Sequence, residues 1–174
     1  MESNQFKSAS LLTHHIMKKE PVHTYMPGSP LPLSNNEWLQ GRLFLAELHE
    51  YANDLPAAER MLRKLKEKAP GNQNLKIDYA RVLMARGWPR KAEKELKKAE
   101  VLEPTNISLE VEQSYVAMAL QDWRHAELLL ADVQKRAPTN SAVKELKRAH
   151  DIHNSAELRV GATVDLDSDS PDSG

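Results

Sequence analysis

The sequence predicts an all-α solenoid of helical hairpins, and three observations predict it. Between residues 43 and 140 the chain matches itself at a shift of 34 residues. Ala, Leu, Glu, Lys and Arg, the strong helix formers, dominate residues 36–155, and only three glycines fall there, Gly41, Gly71 and Gly87. Proline and asparagine recur at fixed phases, where one helix has to stop and the next has to start.

The shift aligns Pro70, Pro104 and Pro138, and Asn72, Asn106 and Asn140. It aligns Ala58, Ala92 and Ala126, then Glu59, Glu93 and Glu127, then Leu62, Leu96 and Leu130. It also aligns Leu43, Ile77 and Val111, and Ala46, Ala80 and Ser114. An Ala followed four residues later by a large apolar side chain and twelve later by Pro, at this period, is the tetratricopeptide (TPR) pattern. The Trp usual at the start of the first helix is missing, and Gln113 stands where an apolar residue is expected. Each small residue lets the two helices of a hairpin approach, and the Leu series fills the seam between them. The prolines end the second helix, having no N–H to donate, and each Asn caps the next first helix.

Taken in order, residues 1–35 form an N-terminal helix and a Pro-rich linker. Phe6, Leu11, Leu12, Ile16 and Met17 fall near one face of a helix over 5–19. Pro21, Pro27, Pro30, Pro32 and Gly28 then break helix and read as loop. Ser34-Asn35-Asn36-Glu37 fits a capping box at the first repeat. Residues 36–155 form three TPR repeats plus a capping helix, with helices near 36–52, 55–69, 73–86, 89–102, 107–120, 123–136 and 140–154. The last buries Val143, Leu146, Ala149 and Ile152 and turns Lys144, Lys147 and Arg148 to water. Residues 156–174 are a linker or a lead-in to a barrel strand. Leu158, Val160, Ala162, Val164 and Leu166 alternate with polar residues or glycine, which fits either a strand continued in a later sheet or barrel, or chance alternation in a linker. From Val164 the tail is too acidic and too poor in apolar residues to pack.

Composition excludes several functions. The 174 residues hold 24 Lys+Arg against 25 Asp+Glu, which argues against a nucleic-acid binder driven by a basic face. No run approaches the roughly 20 apolar residues of a membrane-spanning helix. Cysteine is absent, which rules out thiolate zinc sites, disulfides and Cys nucleophiles. Met1-Glu2-Ser3-Asn4-Gln5 opens without the basic and apolar regions of a signal peptide. Phosphate-cradling loops, GxSxG and HExxH are also missing, and Asp and Glu are scattered. His14 and His15 are adjacent and diverge on a helix. His150 and His153 flank Asp151 without a third ligand in reach, so they read as helix-end histidines. The expectation is a chain that is not an enzyme and holds no metal and no cofactor.

A TPR array binds along the inner wall lined by its first helices. The inward positions of each repeat are Gln40, Leu43, Glu47, Glu50 and Tyr51; then Asn74, Ile77, Arg81, Met84 and Ala85; then Ser108, Val111, Tyr115, Met118 and Ala119. The candidate ligand-binding residues are Glu47, Glu50, Tyr51, Asn74, Asp78, Arg81 and Tyr115. Tyr51 and Tyr115 stand at positions the core does not need. Trp88 and Trp123 lie at the turns inside hairpins, near Asp54 and Asp122, where they either pack the turn or offer stacking platforms for sugar rings. Arg90, Lys91, Lys94, Lys97 and Lys98, interleaved with Glu93, Glu95 and Glu100, read as a solvated face laced with ion pairs, or as a docking patch for an acidic protein.

Gly71-Asn72-Gln73, the run Ala85-Arg86-Gly87-Trp88-Pro89-Arg90, and then Ala92-Glu93, Ala99-Glu100 and Glu103-Pro104 carry a resemblance. They resemble the periplasmic TPR region of outer-membrane exporters of poly-β-linked N-acetylglucosamine (PNAG), the biofilm polysaccharide porins. His153-Asn154-Ser155-Ala156-Glu157-Leu158-Arg159-Val160 resembles the junction where that family passes from helices to barrel. The resemblance implies a periplasmic module attached to a C-terminal outer-membrane barrel of the same chain. It implies partly deacetylated PNAG and the periplasmic PNAG deacetylase lipoprotein as partners, and no nucleic acid. Under it, Glu47, Glu50 and Asp78 pair with glucosamine ammonium groups, tyrosines stack on pyranose rings, and Arg81 contacts acetyl carbonyls or balances charge. The alternative is a protein-docking scaffold that recruits the deacetylase.

Overall fold

The computed structural model describes residues 8, 9, 11–13, 15, 21, 23–25, 28 and 32–155. Seven helices follow one another through residues 36–154: α1 (Asn36–Tyr51), α2 (Leu55–Lys68), α3 (Gln73–Ala85), α4 (Pro89–Glu100), α5 (Ile107–Ala119), α6 (Trp123–Arg136) and α7 (Ser141–Asn154). They pair as the hairpins α1–α2, α3–α4 and α5–α6, each stacked on the next, with α7 closing the array against α5 and α6. The expected helices end within two residues of the observed ones. No helix among the described residues is long and apolar enough to cross a membrane.

Local chemistry accounts for the helix ends. Asn72 Oδ1 accepts from the Leu75 N–H at 3.3 Å, Asn106 from Ser108 and Leu109, and Asn140 from Ala142 and Val143. Inside each hairpin the turn passes through one left-handed residue at the same phase: Asn53 (φ 59°), Gly87 (φ 75°) and Gln121 (φ 64°). A Cβ at Gly87 would meet nothing within 4 Å, so only its backbone angle favours glycine there. The residue after each turn donates back five positions, Asp54 to His49, Trp88 to Leu83 and Asp122 to Ala117, which satisfies carbonyls left open at the end of the first helix. Asp54 and Asp122 then cap α2 and α6 with their side chains. Trp88, at the matching place, caps nothing and packs on the core instead.

The repeat positions do what their size dictates. Ala46, Ala80 and Ser114 are 1% exposed or less, as are Ala58, Ala92 and Ala126. Ser114 Oγ donates to the Ala126 carbonyl at 3.1 Å, tying α5 to α6. Leu62, Leu96 and Leu130 are buried in the seams. One core cluster runs from Trp38 to Val116 across all three repeats. A second, of Val111, Leu130, Val133, Val143 and Leu146, joins α5, α6 and α7. Gln113 replaces the buried Tyr79 of the preceding repeat and donates to Glu100 at 3.2 Å. A groove of about 250 Å³ opens beside it between α4, α5 and α6.

Several expectations need correction. Within the segment read as loop, β1 (His23–Tyr25) pairs antiparallel with β2 (Pro32–Ser34), in register His23↔Ser34, with Gly28 in the left-handed region between them. The cap of α1 is Asn35 rather than Ser34, because Asn35 Oδ1 accepts from Glu37 and Trp38 while its Nδ2 donates to the Pro21 carbonyl. Pro104 stops nothing: α4 has ended at Glu100, one turn earlier. Ile152 is 65% exposed, and His150 takes the inward position on α7. In the expected helix over 5–19, residues 8, 9, 11–13 and 15 are helical; Phe6, Ile16 and Met17 lie outside the described residues, as does the alternating segment 158–166.

Asn106 tests the cap chemistry. Its Oδ1 caps α5 while its Nδ2 donates to Gln73 Oε1 at 2.6 Å, and Gln73 Nε2 reaches the Ala99 and Glu103 carbonyls. Asn106→Ala is expected to cost about 1–2 kcal/mol, against about 1 kcal/mol for Asn140→Ala, which holds a cap alone. Urea unfolding of the two variants checks this, and equal losses would deny the cross-repeat bond a role.

Candidate functional site

The inner wall is carried by the first helix of each hairpin, α1, α3 and α5, and its centre is Arg81. Arg81 Nη2 meets Asp78 Oδ1 at 2.8 Å, one turn back on α3. Its Nε donates to Glu112 Oε1 at 3.1 Å on α5. Glu50, near the end of α1, lies in the field of Arg81, Asp78, Glu112 and Glu47. Three carboxylates from three successive repeats, Glu50, Asp78 and Glu112, therefore act on one guanidinium, with Glu47 acting on Glu50 at the edge; together they carry a net of three negative charges when all are ionised.

Burial sets the electrostatics. The carboxyls of Glu50, Asp78 and Glu112 are each held above the ordinary carboxylate range, first by desolvation; Arg81 opposes this in all three without overcoming it. Glu112 is the least exposed of the Arg81 partners, its side chain 16% accessible against 27% for Asp78. Burial works to lower the Arg81 value, but Asp78 and Glu112 outweigh it and the guanidinium stays charged. The sign of the pH effect follows. Between the unfolded and the raised folded values the folded chain binds more protons, so these groups' contribution to stability falls as pH rises through that window. Combined Glu50→Gln, Asp78→Asn and Glu112→Gln replacement is expected to leave the array at least as stable as the parent at pH 7. That advantage should shrink toward pH 4.5, near the ordinary carboxylate range. Thermal midpoints of both proteins across pH 4.5–7 measure it, and a gap that widens on acidification would contradict it.

The wall gathers some of the residues expected from sequence and not others. Glu50, Asp78 and Arg81 come together, with Glu47 acting on Glu50 at the edge. Asn74 is exposed one turn before Asp78, and Tyr51 stands 81% exposed at the end of α1; neither joins the Arg81 cluster. Tyr115 is half-buried against the second core cluster, so its position is needed for packing after all. Burial raises its phenol, with Glu145 of α7 and Glu112 adding to the effect. Ile77 and Val111, placed on the wall by repeat position, are core residues at 2% and 3% exposure. Sequence reasoning missed Glu112 and Glu145. The signal for Glu112 was present, since one repeat step from Asp78 lands on it. Glu145 lies beyond the last full repeat, where the register offers no partner.

The aromatic rings at the turns are occupied by the chain itself. Lys91 Nζ and Arg86 Cζ lie 3.8 and 3.9 Å from the Trp88 ring centroid. His153 stacks on Trp123 with centroids 3.8 Å apart and planes 13° off parallel. This favours the packing reading of both tryptophans over a sugar platform. His150 faces Glu127 at 3.9 Å instead, so the two histidines of α7 serve different neighbours. On α4, Lys97 pairs with Glu93 at 2.6 Å and Lys98 with Glu95 at 2.7 Å, as expected of a solvated face. Glu95 also holds Lys66 of α2 at 2.6 Å, which locks neighbouring hairpins together.

Residues 49–110 match the family model described as tetratricopeptide repeat. The poly-beta-1,6-N-acetyl-D-glucosamine export protein of Escherichia coli (strain K12) is 50% identical to this chain over all 174 residues. The chain spans 22% of that relative's length. Among solved structures, a tetratricopeptide repeat protein from Parabacteroides merdae superposes with a TM-score of 0.62 at 14% identity, covering 84% of this chain and 52% of that one. The TPR domain of Arabidopsis OM64 gives 0.58 at 13% identity, covering 67% and 97%. These likenesses establish the TPR solenoid, and neither the fold nor the export relative indicates catalysis.

Proposed function

From a TPR array that is half identical, along its whole length, to one stretch of a poly-β-1,6-N-acetyl-D-glucosamine export protein, we propose a periplasmic module that binds partly deacetylated polymer and guides it toward an outer-membrane barrel of the same chain. The observation that carries this reading is the surplus of negative charge around Arg81, on the wall a TPR array uses for ligands. Deacetylated glucosamine units carry ammonium groups, and Glu47, Glu50, Asp78 and Glu112 supply the counter-charge. Arg81 holds Asp78 and Glu112 in place and leaves Glu47 and Glu50 as the outlying acceptors. Tyr51, the exposed ring at the edge of the wall, and Asn74 offer stacking and hydrogen bonding to neighbouring sugars. Tyr115 continues the path toward Glu145.

Weak contacts suit transport. Each exposed ion pair contributes about 0–1 kcal/mol, and repetition along a polymer turns such contacts into useful avidity without trapping the chain. Isothermal titration with glucosamine oligomers tests the reading. Deacetylated oligomers should bind, more weakly as salt is raised, and fully acetylated ones should bind less. Equal binding of the two, or none, removes the carbohydrate role. Docking of the periplasmic deacetylase lipoprotein on the Arg90–Lys98 face of α4 is the lesser reading, because Lys97 and Lys98 are already paired within the helix.

A further inference from the structure

A groove of about 300 Å³ lies between α1 and α2, and it shares no residue with the inner wall described above. Trp38, Met61 and Leu65 supply its apolar lining, with Leu65 4% and Trp38 9% exposed. Its remaining lining residues, Arg42, Lys64 and Lys68, all carry positive charge. Lys68 Nζ stands 4.8 Å and Arg42 Cζ 5.6 Å from the Trp38 ring centroid.

Some basic side chains of the array find carboxylates: Lys66 with Glu95, Arg81 with Asp78 and Glu112, Arg136 with Glu110 and Asp132. Among the described residues no carboxylate pairs with Arg42, Lys64 or Lys68. Arg42 Nε is moreover a buried donor that meets no acceptor among the described residues. Buried polar groups are ordinarily satisfied, so a donor left open beside a cleft marks a place for an incoming acceptor. Cations that sit over the Trp38 ring and meet no carboxylate among the described residues ask for negative charge, and the apolar lining beside them asks for an apolar group.

We propose that this groove docks an acidic segment of a protein partner. An apolar side chain of that segment rests on Trp38, Met61 and Leu65, and flanking carboxylates meet Arg42, Lys64 and Lys68. The cleft's size admits about one large side chain, which fits a peptide anchor better than a lipid tail. The groove would give the array a protein contact separate from its polymer path, so both can be engaged at once.

Fluorescence anisotropy tests this with a labelled peptide of one central phenylalanine flanked by three glutamates on each side, titrated with the 174-residue chain. Saturable binding is expected, weaker at higher salt. Combined Lys64→Glu and Lys68→Glu replacement, both at exposed positions, should weaken it at least tenfold, and Arg42→Met should weaken it too. Lys144→Glu, an exposed charge on α7, should leave it unchanged. A peptide with glycine in place of phenylalanine should bind at least tenfold less. Absence of binding overturns the proposal, as does equal binding of the glycine peptide or insensitivity to the Lys64 and Lys68 reversals. Binding of phosphatidylglycerol vesicles that the same reversals abolish, with no peptide binding, would reassign the groove to an anionic membrane surface and equally overturn it.

Discussion

Leu96→Ala is expected to lower the unfolding free energy by about 2–5 kcal/mol, the range for a fully buried leucine cut back to alanine. Leu96 is 1% exposed on α4, in the cluster that runs from Trp38 to Val116 and so bridges all three hairpins. The loss therefore combines the transfer of three carbons with a cavity in a cluster that also holds Ala80 and Ala92, too short to fill it. An array in which each hairpin rests only on its neighbours has little redundancy there, and the cost is a large part of the about 5–15 kcal/mol that holds a typical domain folded. Leu130→Ala, at the same phase but 7% exposed in the smaller second cluster, should cost less. Leu128→Ala, 65% exposed on the same helix, should stay within about 0.5 kcal/mol of the parent. Urea midpoints rank the three. If Leu96→Ala fell no further than Leu128→Ala, the seam would not be what holds the hairpins together.

Neutralising the acids around Arg81 should have the largest effect on ligand binding. With Glu50→Gln, Asp78→Asn and Glu112→Gln in one protein, the site changes from net negative to net neutral, since only the charges of Glu47 and Arg81 remain. Affinity for deacetylated glucosamine oligomers is expected to drop at least tenfold, about 1.4 kcal/mol, and its salt dependence should flatten. Binding of acetylated oligomers, which carry no ammonium group, should hardly change. The three replacements remove carboxylates whose ionised forms are disfavoured where they sit, and the amide oxygens put in place of the Asp78 and Glu112 carboxylates can still accept from Arg81. Lost binding with an unchanged or raised thermal midpoint thus separates ligand recognition from folding. Retained binding would move the polymer path off this wall.

The architecture was legible because it is written in local rules. A small side chain every 34 residues, a leucine four places after the second-helix alanine, and an Asn at the start of a helix act through contacts that the period itself dictates. The hairpin turns show the same logic in less obvious form. Asn53, Gly87 and Gln121 share a left-handed backbone at one phase, although only one of the three is glycine. Where chain neighbours outside the repeat took part, the reading slipped: Asn35 displaced Ser34 as cap while also binding the Pro21 carbonyl, and His150 displaced Ile152 from the inner face of α7.

The sequence alone settled the repeat, the positions of the helices and four members of the acidic cluster, since helix phase and capping depend on residues a few steps apart. Tertiary structure alone decided that Glu112 completes the cluster at Arg81, that Tyr115 packs inward, that the Trp88 and Trp123 rings are taken by Arg86, Lys91 and His153, and that Arg42, Lys64 and Lys68 share a cleft with no carboxylate partner among the described residues. The physical reason is range. A helix fixes which residues share a face, whereas the Coulomb field and the burial of any one side chain are sums over neighbours from other helices, whose approach only the packed superhelix defines.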